Sequence, residues 1–261
     1  MTKTLKKPHS GARKLFVDRF FKQFNEVREE IHKDDTDLSK LDIFAPFPKD
    51  GLLPGRRRWS DLTENEKLVM NLAYAIAEIE RSAKTLALIP SLFNSHSTYL
   101  EKKRFSRVQQ HKRNIGWYLN EVYSFSNRTE YFLKLMKKAL IKSRFSKTST
   151  EVATLNSLRS VCIESLRGIN EVRGRHVHVR SYFDKALSKI ELWEEMAKYI
   201  SHGTERNFHE SLTWKLLRSD RKSWKERTEK NAAQLEELLD YLYHSLDTAK
   251  IINKLLEKYE K

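Results

Sequence analysis

Residues 173–180 hold the densest cluster of chemically reactive side chains in the 261-residue chain, three arginines and two histidines. A histidine with its ordinary pKa of ~6.5 exchanges protons near neutral pH. Arginine carries a permanent charge on a planar fork that matches phosphate oxygens. Together they suffice for metal-free RNA cleavage, in which a histidine takes the 2′-hydroxyl proton and an arginine neutralises charge on the phosphoryl group. Neighbouring arginines lower the pKa of a histidine and keep it neutral enough to act as the base.

Arg173 and His178 are the residues that we expect to be catalytic. On an unbroken α-helix, five residues turn through about 500°, so these two positions lie roughly 140° apart. Either the backbone breaks between them, which Gly174 would allow, or a second subunit supplies the missing partner. The spacing therefore predicts a bend or a dimeric site.

Two neighbours, His176 and Arg175, are accessory candidates. His176 has three interpretations: the base itself, a donor behind the base, or an exposed side chain. The pair His176 and His178 also resembles metal-ligand spacing, but positions two apart on a helix point about 200° from each other and no acid lies at a helpful offset. We expect neither a metal nor a cofactor.

Positive charge surrounds this cluster. The formal net charge is +15, from 50 Lys and Arg against 35 Asp and Glu. Residues 102–147 contain 13 bases and two acids, and the window 102–189 carries +14 of the total. A local basic block is typical of a polyanion-binding surface, although Lys and Arg also populate solvated helical faces. The residues expected to bind RNA are Arg104, Arg107, Lys112, Arg113 and Arg180, and the aromatic residues placed to stack on bases are Tyr118, Tyr123 and Phe125.

Composition excludes several classes of protein. One cysteine excludes a disulfide-stapled secreted module and a multi-cysteine metal site, and Cys162 lies on an apolar stripe where we expect a buried, inert thiol. No apolar run approaches the ~18 residues of a membrane helix, and the basic N-terminus lacks the hydrophobic segment of a secretory signal. We expect a cytoplasmic protein without a membrane partner.

Apolar residues recur at three- and four-residue steps along most of the chain, and seven glycines are too few for many β-turns. Ser60 and Asp61 offer an N-cap. The Pro-containing segment 34–59 is predicted to be a linker, and residues 171–180 are predicted to connect two helices. The predicted helices cover about 10–33, 61–89, 102–144, 150–169, 182–200, 205–218 and 221–259.

The sequence therefore predicts an all-α fold, an up-and-down helical bundle with extra N- and C-terminal helices. We expect three parts along the chain: an N-terminal helix and linker over 1–59, a helical bundle over 60–200, and a C-terminal helical extension over 201–261.

Residues 173–178 (RGRHVH) fit the Arg-x4-His signature of HEPN domains, and they follow a hydrophobic helix in an all-α chain. The long helix from Tyr118 to Leu140 also looks like a HEPN core helix. The resemblance covers roughly 60–200. It implies a HEPN-like four-helix core, in which Arg173 matches the motif arginine and His178 the motif histidine. Glu121 is an accessory candidate for the acid that some members place on an earlier helix.

The same resemblance implies a homodimer that brings two motifs to one cleft, with metal-independent ribonuclease activity. Members with this activity occur in toxin–antitoxin, phage-defence (abortive-infection) and CRISPR-associated systems, so an antitoxin or defence partner is expected with it. The alternative is a non-catalytic helical module that binds RNA, DNA, a nucleotide or a partner, since Gly174 stands where the family often has a polar residue.

Overall fold

A computed structural model describes residues 12–31, 62–142, 146, 148–179, 185–200 and 203–256, and for some helical residues, 172–179 among them, it describes the backbone alone. Within these ranges the chain forms helices and no strand, so the predicted all-α helical bundle is confirmed. A short 3₁₀ helix covers Ile89–Phe93. The α-helices are α1 Ala12–Ile31, α2 Glu64–Leu88, α3 Thr98–Lys102, α4 Arg107–Lys142, α5 Thr150–Val179, α6 Lys185–Tyr199, α7 Thr204–Thr248 and α8 Ile251–Leu256.

Reciprocal side-chain caps define two helix starts. The Thr63 hydroxyl accepts from the Glu66 N–H at 3.2 Å and the Glu66 carboxylate accepts from the Thr63 N–H at 2.6 Å, so α2 begins later than the predicted Ser60–Asp61 cap. Ser106 and Gln109 form the same arrangement before α4, at 3.1 and 2.8 Å. Each pair satisfies two N–H groups that the first turn leaves open.

Two predicted helix ends are wrong. We expected a helix end near residue 169, whereas α5 continues through Gly168 and Gly174 to Val179. We also expected separate helices over 205–218 and 221–259, whereas α7 is one helix of 45 residues followed by the short α8. An interior glycine costs a helix only about 1 kcal/mol, which the surrounding helix outweighs, and α7 contains neither glycine nor proline.

The predicted helix over 102–144 is divided near its start. The shorter α3 ends at Lys102, and Arg104 adopts the left-handed conformation with φ 64°. The Phe105 N–H donates to the Leu100 carbonyl at 2.9 Å, which closes the end of α3 in the manner usual for a glycine. The chain therefore turns sharply between α3 and α4.

The described residues group into two compact units. Unit 1 holds those up to Arg81, from Asn127 to Ile163 and from Glu237 onward, and unit 2 holds Ser82–Ser126 and Glu164–Glu236. All of these limits fall inside helices. The expected parts 1–59, 60–200 and 201–261 stay a prediction.

Each unit has its own apolar core. In unit 1, the Phe16 and Tyr243 rings stack with centroids 4.7 Å apart, and both are buried. In unit 2, the buried Phe93 and Trp224 rings stack at 6.3 Å. Cys162 is buried, as its place on the apolar stripe predicts. No helix in the described part of the chain has the length and apolar character needed to cross a membrane.

Candidate nucleic-acid interface

The predicted catalytic positions lie on the last turns of α5. The backbone is helical from Thr150 to Val179, so it does not break at Gly174. Arg173 and His178 are therefore about 140° apart around one helix axis. A straight helix cannot bring the two side chains of one chain to the same phosphate. Of the two predicted arrangements, a bend or a dimeric site, the unbroken helix leaves only the dimeric site. The side chains of Arg173, Arg175, His176 and His178 lie outside the described residues, as does Arg180.

Glu121, the accessory acid implied by the HEPN resemblance, lies on α4. Its carboxylate accepts a hydrogen bond from the Ser82 hydroxyl at 2.5 Å, and the side chain is half-buried. The two residues belong to unit 2. The contact ties α4 to the end of α2, and an accessory role in catalysis stays a prediction.

The residues expected to bind RNA have different surroundings. Lys112 donates to Glu191 at 2.6 Å, so its charge is already paired within the chain. Arg113 is exposed, with its guanidinium 5.9 Å from the Phe105 ring centroid. Arg104 and Arg107 line one cavity of about 510 Å³ in unit 2.

Arg107 occupies a central position in that cavity wall. Its guanidinium pairs with Glu101 and lies over the Trp214 ring, 4.1 Å from the centroid. The pairing with Arg107 lowers the pKa of the Glu101 carboxyl, since the hydrogen bond favours its charged form. Trp214 remains 40% exposed despite this contact.

A second, more basic concavity lies along α7. Five cationic side chains recur at three- and four-residue steps over eleven residues, so they share one side of the helix. They line a groove of about 930 Å³ together with Phe93 and Trp214, and none of the described side chains that line it is acidic. We call this the basic groove, and its cations are Lys215, Arg218, Arg221, Lys222 and Lys225.

The acid within this stretch, Asp220, is not part of the groove wall. Its carboxylate pairs with His111 Nε2 at 2.8 Å, and both side chains are almost fully buried. Asp220 therefore anchors α7 to α4 within unit 2. Its pairing leaves the groove strongly positive.

The groove cations keep most of their charge available. Within the described part of the chain, Lys215 and Arg218 are exposed and make no ion pair. Lys222 lies 4.0 Å from Glu226 and Lys225 lies 3.7 Å from Glu229, at exposed i,i+4 positions. Such surface pairs contribute roughly 0.3–0.5 kcal/mol and exchange readily with other anions.

Arg221 is the most buried of these cations. Its Nε donates to the Phe93 carbonyl at 3.1 Å, whereas its buried Nη2 has no hydrogen-bond partner among the described residues. Burial, and then the charge of Arg107, lower the pKa of the Arg221 guanidinium. An anion in the groove would relieve this repulsion.

The aromatic residues available for stacking are not those that the sequence predicts. Tyr118 and Phe125 are buried in the core of unit 2, so the prediction that they stack on bases is wrong. Their positions are on the inner side of α4, where apolar rings pack with neighbouring helices. Trp214, which lines both the groove and the smaller cavity, has the exposed ring instead.

Charge counting along the sequence missed the groove. Acids in the flanking segments cancel its five cations, so that 190–220 sums to −2 and 221–261 to +1. The signal present in the sequence is the spacing of the bases on one helical side between 214 and 225, with a single acid among them.

Comparison of the chain with protein-family models, curated proteins and solved structures finds no match. Membership of the HEPN family therefore stays a prediction.

Proposed function

We propose that the protein binds a nucleic acid, RNA in the first instance, through the basic groove on α7. The observation that carries this proposal is a concave surface with five cations and no acidic described lining residue, next to an exposed tryptophan. Phosphate contacts dominate the affinity of proteins for nucleic acids, and aromatic rings provide stacking surface.

The shape of the groove favours a strand over a flat lipid surface. Residues Lys215 and Lys225 are ten positions apart, so the row of cations is about 15 Å long on an α-helix. A concave row of this length follows a phosphate backbone. A membrane-surface helix needs an apolar face beside its cations, whereas the positions between these cations include the buried Leu217 and Trp224.

Charge reversal tests the proposal. The variant carries Lys215→Glu and Arg218→Glu, and the matched control carries Lys14→Glu and Lys138→Glu. The control residues are also exposed, make no ion pair among the described residues and do not line the groove. Both doubles change the net charge equally. Fluorescence anisotropy with a labelled single-stranded RNA 12-mer measures affinity at 50 and 200 mM salt.

About four phosphate contacts give single-stranded binding a log–log salt slope near −2.8, or a roughly 50-fold loss of affinity across this salt range. We expect the groove variant to bind more than tenfold more weakly at 50 mM salt, with a slope near −1.4. The control should stay within about threefold of the parent protein. Equal losses in the two doubles, or binding that salt does not change, would contradict a role for the groove.

Ribonuclease activity at Arg173 and His178 is the catalytic extension of this proposal, and the unbroken α5 gives it a dimer requirement. Cleavage of the labelled RNA is followed in EDTA, and the oligomeric state is measured by light scattering on the same sample. His178→Ala and Arg173→Ala should each abolish cleavage and leave RNA binding intact. RNA binding without turnover in the parent protein would support the non-catalytic binding module instead.

A further inference from the structure

The smaller cavity of unit 2 differs from the basic groove in carrying an unneutralised carboxylate. Its volume of about 510 Å³ lies within the range typical of small-ligand pockets, roughly 300–1,000 Å³. The turn after α3, helix α6 and helix α7 all contribute to its wall. We call it the carboxylate cavity.

Three acids line this cavity, and two of them are neutralised. Glu101 pairs with Arg107, and Glu210 accepts from Arg206 at 2.8 Å. Glu194 makes no ion pair among the described residues. A half-buried carboxylate without a cationic partner is a site for a ligand that presents hydrogen-bond donors.

Burial raises the pKa of the Glu194 carboxyl, whereas the Ser106 hydroxyl and the charge of Lys198 lower it. Lys198 itself is bound to Glu195 at 2.8 Å. The cavity therefore keeps a carboxylate whose ionised form is poorly compensated by the protein. A donor pair from a ligand would stabilise that ionised form.

Two further features of the wall of the carboxylate cavity suit a nucleotide ligand. Trp214 offers an exposed indole to a flat ring, and Arg107 holds it from one side. Arg104 is exposed at the cavity in the left-handed conformation, with no ion pair within the described ranges. Strained backbone of this kind clusters at binding sites, and an arginine there is suited to a phosphate.

We propose that the carboxylate cavity binds a guanine base, with Glu194 accepting its Watson–Crick-edge donors and Trp214 stacking on its ring. Guanine presents two adjacent donors, N1–H and N2–H₂, which match the two oxygens of one carboxylate. Adenine and cytosine each present one donor beside a ring-nitrogen acceptor, which a carboxylate repels. Uracil presents a single donor between two carbonyls.

The inference rests on the proposed function in one respect: Trp214 lines both concavities, so a strand in the basic groove can place a base in the carboxylate cavity. The protein would then bind single-stranded RNA with a preference for guanine at one position. Guanine in a duplex is excluded, because its Watson–Crick edge is already paired.

The test uses labelled single-stranded oligouridine 12-mers with one central guanine, adenine or inosine. Fluorescence anisotropy should show the guanine oligonucleotide binding about tenfold more tightly than the adenine one, the effect of one additional charge-assisted hydrogen bond. Inosine, which lacks the 2-amino group, should fall between them. Glu194→Gln should reduce the guanine-to-adenine ratio to within twofold, and Glu205→Gln is the matched control.

Glu205 is exposed, makes no ion pair among the described residues and does not line the cavity. Equal affinities for guanine and adenine in the parent protein would overturn the inference, as would a ratio that Glu194→Gln leaves unchanged. A thermal melt of both variants confirms that each is folded.

Failure of the groove and failure of the cavity give different results. If the cavity binds guanine but the groove proposal is wrong, no oligonucleotide binds with salt dependence, yet calorimetry shows GMP bound more tightly than AMP and Glu194→Gln removes the difference. If the groove proposal is right but the inference is wrong, all three oligonucleotides bind equally and GMP shows no preference over AMP.

Discussion

Replacing Arg104 with glycine should stabilise the protein and at the same time weaken the RNA binding that we propose. Arg104 has φ 64°, a conformation that costs a residue with a Cβ roughly 1–2 kcal/mol. Its backbone N–H donates to the Glu101 carbonyl at 2.9 Å, and glycine keeps that bond. The side chain makes no ion pair within the described residues, so the substitution removes none.

The expected magnitude follows from two opposing contributions. Glycine relieves the left-handed strain, but it adds conformational entropy to the unfolded chain, roughly 0.5–1 kcal/mol. The net gain in the free energy of unfolding is about 0.5–1 kcal/mol. For a chain of this size that corresponds to a rise in Tm of about 1–3 °C.

Lys250 provides a matched control for the strain. It has φ 50° after the end of α7, belongs to unit 1 and lines neither of the two concavities of unit 2. Lys250→Gly should raise Tm by a similar amount without changing RNA affinity. Lys103→Gly is the opposite control, because φ is −88° there and glycine should lower Tm.

Two measurements decide the outcome. Differential scanning calorimetry gives Tm, and fluorescence anisotropy gives the salt slope of RNA binding, which the loss of one phosphate contact should reduce by about 0.7. A lower Tm for Arg104→Gly alongside a higher Tm for Lys250→Gly would refute the strain argument. A higher Tm with an unchanged salt slope would refute the contact between Arg104 and RNA.

Two further predictions concern ionisable groups. Burial raises the pKa of the Cys162 thiol to about 12, so at pH 8 about one thiol in ten thousand is ionised. A colorimetric disulfide reagent should therefore label the unfolded protein readily and the folded protein very slowly. Fast labelling of the folded protein would contradict this prediction. Burial raises the pKa of Glu194, so its folded-state pKa lies above the unfolded one and its ionisation destabilises the fold at neutral pH. Glu194→Gln should therefore raise the urea midpoint of unfolding at pH 7. This gain should disappear as the pH falls through the raised pKa of folded Glu194 to the ordinary pKa of a glutamate. An equal gain at pH 7 and at the lowest pH would argue for a packing effect.

The sequence alone predicts most of the helices because their apolar residues repeat at the helical period. The stripe that includes Leu155, Leu158 and Cys162 is buried as expected. The errors lie at helix ends, where the free energy differences are small. Gly168 and Gly174 predict an interruption of α5, but each glycine destabilises the helix by only about 1 kcal/mol, which is similar to the contribution of one favourable N-cap residue.

The limits of the two compact units could not be read from composition. Each limit lies inside a long helix, where neither glycine, proline nor a change in polarity marks it. Which residues of α4 or α7 belong to which core depends on contacts between segments far apart in the sequence. The sequence pattern records only that one side of each helix is apolar.

The sequence by itself determined that the chain is all-α, strongly basic and equipped with a single buried thiol. The tertiary structure decided which charges remain available to a ligand. Lys112 lies in the basic window but is neutralised by Glu191, 79 positions away, whereas Lys215 and Arg218 lie in a window of negative net charge and remain unpaired within the described part of the chain. Charges act over about 10 Å in salt solution. Spatial neighbours, rather than neighbours in sequence, therefore set the potential of the groove.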